Sequence, residues 1–422
     1  MQRNIWINGW TNTEAWKKSR LWHGRFCKKS RLEQTGLNRE QKKVLSLLAE
    51  VDKICRKHKI TYYLSPQLTL CSVTGQPFPQ NPGAGVVYMK IGDMEQFRLA
   101  VEEGCPERRI LESMNNNKFF PGFFLRYTDM DTLDFRLNEG RNFKYPGIGI
   151  NILPLRGKMN SRLRHLWNRV EEVGWIEMCD FYGDKKGKKR FLCRLFMRFR
   201  CIAGRGRLGR SLYRHFCKRQ NVEKTQEYVL RLKKKTVYFP AETFDGTRKV
   251  MLEGKKFLAP EKLSLYLTKY YGPEYREKEF AKYVPKAAQM VSALVSYEDY
   301  FQEIGSQKRF IKKRNRARRK DTYGRNQKKY LTWSWNYAKF CGSRIELENY
   351  YLKKKDYIEN LYKNKDYAAL EEIFVPYTKA MVKSLKSNEI FAPDEELLEI
   401  FLAMLEKTGR TALKGKVEKF WR

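Results

Sequence analysis

Residues 45–97 constrain the fold of this chain most, because their apolar side chains switch between the spacing of a helix and the run of a strand. At the start of the stretch, apolar residues recur as they do on one face of an amphipathic helix. Two later runs of apolar and aromatic residues are typical of strands. The elements predicted in order are a helix over 45–54, a strand over 60–64, a short helix over 68–73, a strand over 86–89 and a helix from near Asp93, which could cap it.

A loop rich in proline and glycine, from Pro77 to Gly85, joins the two predicted strands. Proline and glycine interrupt regular structure and supply the backbone angles that turns need. The order helix, strand, short helix, loop, strand, helix is that of a nucleotidyltransferase-like core. We therefore expect an α+β fold, in which a nucleotidyltransferase-like mixed sheet is flanked by helices and followed by a C-terminal helical region.

The same stretch resembles the LicD family, which includes bacterial phosphorylcholine transferases and fukutin-type transferases. When the stretch is laid on the family pattern without gaps, Tyr63 and Ser65 fall on a tyrosine and a serine of the family. Three apolar positions also match: Val73, Phe78 and Met89. Two further blocks, at 146–156 and 236–276, resemble the family in the same order. The resemblance implies that Tyr63, Ser65 and Asn151, which lies in the second block, bind the substrate.

The residues that would hold a metal ion in that family are replaced in this chain. The family places clustered aspartates in the first block and a further acid in the second, and such carboxylates hold the ion that neutralises a transferring phosphoryl group. The corresponding positions here carry no negative charge: Pro82, Gly83, Ala84, Val86 and Asn151. Asn151 could still offer a carbonyl oxygen to a cation. We expect Mg²⁺ or Mn²⁺ as a cofactor only if the protein is an active enzyme, which the sequence leaves open.

Three other acidic residues are candidates to replace the missing carboxylates. Asp129 and Asp131 form a D-x-D pair, and on a strand both side chains would share one face. Glu253 lies in a Leu-Glu-Gly turn of the third block. We predict these three residues as catalytic if the protein is active. The alternatives are a solvated hairpin for the D-x-D pair and a salt bridge to a core arginine for Glu253.

The chain is strongly basic, with 86 lysines and arginines against 47 acidic residues and a formal net charge of +39. A field of that size attracts polyanions. In residues 160–235, arginines flank apolar side chains, the pattern of a helix at an anionic membrane surface. The arginines predicted to contact that surface are Arg190, Arg194, Arg198 and Arg200. A core helix with a solvated basic face is the alternative, and no RNP, KH or zinc-knuckle pattern supports nucleic-acid binding.

Cysteine usage and apolar patterning predict a cellular location. The nine cysteines include no C-x-x-C pair and only four histidines occur, which predicts free thiols in a reducing compartment and no zinc site. The N-terminus has no signal-peptide architecture. No window approaches the roughly 20 apolar residues of a membrane span. We therefore expect a cytoplasmic protein, peripheral on the inner face of the plasma membrane.

We predict three regions: a basic aromatic arm over 1–38, a LicD-like domain over 39–284 with a basic helical insertion at 160–235, and a helical region over 285–422. The last region is predicted to contain helices over 290–304, 331–366, 367–388 and 393–408. These boundaries follow changes in composition and apolar periodicity.

The resemblance implies work on cell-surface glycans such as teichoic acid or lipopolysaccharide, by transfer of phosphorylcholine or a similar phospho-alcohol from a CDP-activated donor. The implied partners are a cell-surface glycan or its lipid-linked precursor and, if the protein is active, a CDP-alcohol donor; the basic helices add an anionic membrane surface. The replaced acids favour an alternative, a non-catalytic protein that binds glycan or nucleotide, or scaffolds a partner enzyme, at the membrane. A nucleic-acid-binding protein is a further alternative that charge alone supports.

Overall fold

The computed structural model describes residues 37–117, 120–136, 143–158, 207–218, 225–232, 235–280, 289–303, 342–385 and 390–421. The described residues from Arg39 onward belong to one compact unit. The fold is α+β: a curled mixed sheet is flanked by helices and followed by C-terminal helices, which confirms the predicted class. None of the helices in these ranges is long and apolar enough to cross a membrane.

The described residues up to 303 form both helices and strands, and those from 342 onward form helices and their connections. The helices are α1 (Arg39–Lys57), α2 (Pro66–Thr74), α3 (Ile91–Glu103), α4 (Arg207–Lys218), α5 (Leu263–Tyr271), α6 (Tyr297–Glu303), α7 (Lys355–Lys363), α8 (Tyr367–Leu385), α9 (Glu395–Lys407) and α10 (Thr411–Trp421). Residues 342–353 are also helical. The strands are β1 (Tyr63–Leu64), β2 (Val86–Lys90), β3 (Arg109–Glu112), β4 (Leu125–Asp129), β5 (Leu133–Arg136), β6 (Gly149–Gly157), β7 (Glu227–Leu232), β8 (Lys235–Pro240), β9 (Thr247–Leu252), β10 (Lys255–Pro260) and β11 (Gln289–Ser292).

The main sheet has the strand order β1-β2-β6-β4-β3, and β7 and β8 extend it from β6. β2 and β6 run parallel, because α3 and the strands after it carry the chain back between them. The other neighbours in this sheet pair antiparallel. Two smaller pairs, β9 with β10 and β5 with β11, are also antiparallel.

One face of the main sheet packs against helices, and we call it the helical face. Phe97 of α3 meets Tyr127 of β4 edge-on, with ring centroids 6.4 Å apart. Glu50 of α1 accepts a hydrogen bond from the Tyr127 hydroxyl at 3.2 Å and pairs with Arg109 of β3 at 2.8 Å. Successive side chains of a strand point to opposite sides of the sheet. The residues of β3 and β4 next to Arg109 and Tyr127 along each strand therefore belong to the opposite face.

The opposite face lies partly under residues 143–148, and we call it the loop face. The guanidinium of Arg126 in β4 donates to the Gly147 carbonyl at 2.7 Å. The backbone N–H of Lys144 donates to the Glu112 carboxylate at 2.6 Å. The segment therefore covers the β4–β3 end of this face, and its contacts are made mainly to polar side chains.

Two predicted helices begin at other residues in the structure. α3 begins at Ile91, two residues before the predicted cap, and Asp93 instead accepts a hydrogen bond from the Thr61 N–H at 3.2 Å. The helix predicted over 290–304 is a strand at its start, β11, and α6 begins only at Tyr297. The Ser292 hydroxyl accepts the N–H of Leu294 at 3.1 Å, which turns the chain between the two elements.

The basic region predicted as helical over 160–235 is helical in part. Of its described residues, α4 is a helix, whereas β7 pairs with β8 across the register Glu227↔Pro240 to Leu232↔Lys235. Val229 and Leu230 of β7 are buried, so apolar packing stabilises this strand. The basic composition of the region does not indicate that packing. The domain boundaries stay predictions.

Candidate functional site

The first two blocks that resemble LicD meet side by side in the sheet. Val86, at the start of β2, is the Cα partner of Asn151 in β6. The Asn151 N–H donates to the Gly85 carbonyl at 2.8 Å, which fixes this register. Directly paired residues of neighbouring strands point to the same face. The two positions that the family fills with acids are therefore adjacent on the loop face, here as a valine and an asparagine.

The polar character of the loop face continues across the next two strands. Asn151 is the Cα partner of Arg126 in β4, and Arg126 is the Cα partner of Glu112 in β3. We call Asn151, Arg126 and Glu112 the polar row. Arg126 is 4% exposed and Glu112 is fully buried. Burying a charge costs free energy unless the charge is paired, so Arg126 and Glu112 require partners inside the protein.

Arg126 is held in place by a carboxylate, a carbonyl and a ring. It lies 3.3 Å from the Asp134 carboxylate, and Asp134 is itself fixed by the Gln289 side-chain amide, which donates to it at 2.7 Å. The guanidinium carbon lies 4.4 Å from the centre of the Phe143 ring. Asp134 balances the charge of Arg126, while the stacking and the Gly147 carbonyl set the plane of its guanidinium.

Among the described residues, the hydrogen bonds to the Glu112 side chain go to one of its two carboxylate oxygens. Its Oε1 accepts the Asn117 amide at 2.7 Å as well as the Lys144 N–H at 2.6 Å. Burial raises the pKa of Glu112 to about 7, although these hydrogen bonds oppose the shift. Glu112 therefore exchanges a proton near neutral pH, and in its neutral form it can donate a hydrogen bond.

Four buried polar atoms on the loop face have no hydrogen-bond partner among the described residues: Glu112 Oε2, Arg126 Nε, Thr128 Oγ1 and Asn151 Oδ1. Two of them converge on Gly149, where an added Cβ would lie 2.8 Å from Thr128 Oγ1 and 3.2 Å from Arg126 Nε. Buried polar atoms are nearly always paired. A concentration of unpaired donors and acceptors on one face is typical of a place that takes a polar ligand or ordered water.

The D-x-D pair does not share a face, because β4 ends at Asp129 and Asp131 lies in the turn that follows. Asp129 is fully buried on the helical face, 2.8 Å from Lys43 Nζ and 3.0 Å from Arg109. Asp131 is exposed and pairs with Arg108 at 2.9 Å. The geometry gives Asp129 the role of a buried counter-ion and sets the two carboxylates apart.

Glu253 differs from the buried charges of the polar row in its exposure to solvent. It lies at the tip of the β9–β10 hairpin and is exposed. Its φ of 49° and the φ of 76° at Gly254 form the tight turn that joins the two strands. The expected salt bridge from Glu253 to a core arginine is absent from the described part of the chain. Position 253 thus serves the turn, where a following glycine accepts the left-handed backbone without strain.

Tyr63 and Ser65 connect elements next to the paired motif positions. The buried Tyr63 hydroxyl donates to the Phe244 carbonyl at 2.8 Å, and burial raises its pKa. Ser65 caps α2, accepting the Leu68 N–H at 3.5 Å, while its own N–H donates to the Val86 carbonyl at 3.1 Å. Ser65 therefore places the N-terminus of α2 beside Val86.

The four arginines predicted at a membrane surface, Arg190, Arg194, Arg198 and Arg200, lie outside the described residues. Within the described ranges, no group of three or more histidine, cysteine, aspartate or glutamate side chains is arranged to hold a metal ion.

Sequence reasoning missed Glu112, Arg126 and Asp134. A signal for the first two was present, since each is a charged residue beside strongly apolar neighbours, in RILE and in FFLRYTD. Charges inside an apolar strand are rare unless the fold pairs them.

Comparison with models of known protein families finds no match. Comparison with curated proteins finds none either. The likeness to LicD proteins therefore depends on the quoted motifs themselves.

Proposed function

We propose that this protein is a LicD-like protein of cell-surface glycan decoration that binds a phosphorylated ligand at the loop face without a catalytic metal ion. One observation carries the proposal: Val86 and Asn151 stand in register on neighbouring parallel strands. The resemblance assigns metal-binding acids to these two positions. Their pairing supports a LicD-like site, and their side chains support binding without metal-dependent transfer.

The chemistry of the paired positions disfavours a divalent cation. Valine offers no ligand atom, and an asparagine carbonyl brings no negative charge to offset the charge of the metal. Arg126 follows on the next strand, at the usual strand spacing of about 4.8 Å from Asn151. A cation between Val86 and Asn151 would face that guanidinium.

The same surroundings favour an anion. α2 begins beside Val86, through the hydrogen bond from the Ser65 N–H to the Val86 carbonyl, and the N-terminus of a helix attracts negative charge. Arg126 Nε and Thr128 Oγ1 supply hydrogen-bond donors that no described residue uses. The net charge of +39 raises the local concentration of anionic ligands.

Glu112 would make this binding depend on pH. With its pKa near 7, the side chain is neutral at lower pH and can donate to a phosphate oxygen, whereas above pH 7 its carboxylate repels the ligand. We expect tighter binding at pH 6 than at pH 8. Glu112→Gln keeps a neutral donor at all pH values and should abolish the difference.

The deciding experiment is calorimetric titration of the full chain with CDP-choline, in the presence of Mg²⁺ or Mn²⁺ and in the presence of a chelator. The proposal expects equal binding in all three. Binding only in the presence of metal would contradict the proposal and favour a metal-dependent transferase site. Absence of binding in all three conditions would show that CDP-choline is not the ligand.

Two variants sharpen this titration. Val86→Asp combined with Asn151→Asp restores the two family acids that would face each other across the paired strands and should make binding depend on Mg²⁺. Asn151→Asp alone is the milder version. Glu253→Gln at the exposed hairpin tip is the control and should leave binding unchanged. Metal-independent binding in the double aspartate variant would contradict the assignment of these positions.

The proposed location is the cytoplasmic face of the plasma membrane, where lipid-linked glycan precursors are accessible. Its support is the net charge of +39, which attracts an anionic leaflet. Fractionation of cells expressing the tagged chain would test it, since high salt should release the protein from the membrane fraction. Recovery in the cytosol at low salt would contradict it.

A further inference from the structure

The β9–β10 hairpin carries a concentration of positive charge. Its cations, which we call the hairpin cations, are Arg248, Lys249, Lys255 and Lys256, and all four are exposed. Glu253 at the tip is the single acidic residue of the two strands and their turn. The charge therefore belongs to a defined structural unit.

The hairpin cations have no ion pair with any described residue. Exposed lysines on neighbouring strands and turns differ, since Lys262 pairs with Glu242 and Lys158 pairs with Glu227. Uncompensated like charges repel one another and oppose compaction. A hairpin that holds several of them is typical of a surface that meets an anion.

The inner face of the hairpin is anchored in the protein. Val250, Leu252, Phe257 and Ala259 are buried there. The Leu258 N–H donates to the Tyr62 hydroxyl at 3.1 Å, and that hydroxyl donates to Asp52 of α1 at 2.8 Å. The hairpin is thus fixed to β1 and α1, and its outer face is presented in one orientation.

An apolar side chain lies among the cations on the outer face. Met251 is 50% exposed and is the Cα partner of Lys256, while Lys249 is the Cα partner of Leu258. Cations around an exposed apolar residue are the combination that binds an anionic bilayer, because the cations meet headgroups while the apolar side chain enters the acyl boundary.

The outer face fits a nucleic acid less well. Binding of single strands depends on aromatic side chains on which bases stack. The outward positions of this hairpin carry none; they are Thr247, Lys249, Met251, Lys256 and Leu258. Lipid is therefore the better match for the described surface.

We propose that the outer face of the β9–β10 hairpin docks the protein on an anionic phospholipid surface. Lys249 and Lys256 contact the headgroups and Met251 inserts between them. The docking rests on the proposed membrane location and specifies the surface that would make the contact. It does not depend on which ligand the polar row binds, so the ligand proposal and the docking proposal can fail separately.

The test is co-sedimentation of the full chain with vesicles of phosphatidylcholine alone or mixed with phosphatidylglycerol. Near an anionic surface each lysine contributes about fivefold to binding. Lys249→Ala combined with Lys256→Ala should therefore weaken binding to the mixed vesicles by more than about tenfold. Lys416→Ala with Lys419→Ala, two exposed lysines of α10, is the charge-matched control and should bind as the native chain does.

Met251→Ser separates lipid from other polyanions. It should weaken binding to the mixed vesicles and leave retention on single-stranded DNA unchanged. Equal binding to neutral and anionic vesicles, or native binding by the double lysine variant, would overturn the proposal. Undiminished vesicle binding by Met251→Ser would also overturn the proposal, because binding would then depend on charge alone and not on insertion of Met251.

Discussion

The sheet region and the C-terminal helices fill their cores with different chemistry. The described residues up to 158 bury charged side chains: Asp52, Glu112, Arg126, Asp129, Asp134 and Arg156. In the described ranges from 342 onward, the buried side chains are aliphatic, aromatic or methionine. The charged pairs there lie at the surface, as Lys355 does beside Asp394 at 2.9 Å.

This difference indicates where the chain serves a site. A core built for stability alone avoids buried charge, because desolvation offsets most of the attraction between the charges. The C-terminal helices follow that rule. The sheet departs from it on both faces, with an ion-pair network around Asp129 on the helical face and the polar row on the loop face. We expect function to lie where the rule is broken.

The largest expected effect is on the helical face of the sheet. Asp129→Asn removes the negative charge between Lys43 and Arg109 and should lower the free energy of unfolding by about 3–5 kcal/mol. Urea denaturation followed by circular dichroism measures it. Asp131→Asn is the control from the same D-x-D pair, and its exposed pair with Arg108 should cost less than about 1 kcal/mol. Equal losses would mean that burial does not distinguish the two acids.

The next effect concerns the loop face and depends on pH. The folded protein keeps the Glu112 proton up to about pH 7, while the unfolded chain releases it near the ordinary value of 4.5. Its stability contribution is therefore complete below pH 4.5 and declines until pH passes about 7, by on the order of 3 kcal/mol. Glu112→Gln should remove this decline in urea denaturation between pH 5 and pH 8.

The helical region offers the comparison for that measurement. Burial, and Glu40 nearby, raise the pKa of Glu346 to about 7 as well, but its side chain is only half-buried. Solvent weakens such a shift, so Glu346→Gln should remove less of the pH dependence than Glu112→Gln does. A larger change at Glu346 would reverse the contrast between the two regions.

Elements set by local patterns could be predicted from the sequence. The helix expected over 45–54 lies within α1, the short helix over 68–73 lies within α2, and the strand over 86–89 lies within β2. The strand expected over 60–64 is shorter in the structure, where β1 covers Tyr63–Leu64. The Ile60 N–H donates to the Cys55 carbonyl at 2.8 Å, so Ile60 belongs to the C-terminal cap of α1. Local apolar spacing cannot show such a capping bond.

The candidate site could be predicted only in part. The motifs place Val86 and Asn151 in it, but their direct pairing depends on the register between distant strands. The expectation that Asp129 and Asp131 share a strand face was wrong, because it assumed a strand through Asp131, whereas β4 ends at Asp129. Glu112 and Arg126 were missed for another reason: their apolar neighbours were a signal, but a charged residue in a strand shows neither its burial nor its partners until the sheet is assembled.

A smaller effect tests the helical core, where a tyrosine repairs a helix that a proline interrupts. α8 contains Pro376. The Tyr351 hydroxyl donates to the Ile373 carbonyl at 2.7 Å and accepts the Tyr377 N–H at 3.1 Å, so it bridges two groups that a regular helix pairs directly. Tyr351→Phe leaves both unpaired and should cost about 1–3 kcal/mol in urea denaturation. Adding Pro376→Ala, which permits the regular bond, should recover part of the loss.

The smallest effect on stability is expected at Tyr377, whose ring contacts that of Tyr351. The Tyr377 hydroxyl is buried, with no hydrogen-bond partner among the described residues, while its ring packs on Phe401 with centroids 4.6 Å apart. Tyr377→Phe keeps that packing and removes a desolvated hydroxyl, so stability should change by less than about 0.5 kcal/mol or rise slightly. The same urea denaturation series measures it. A loss as large as that of Tyr351→Phe would show that the helical core, like the sheet, depends on buried polar contacts, and the contrast between the two regions would no longer hold.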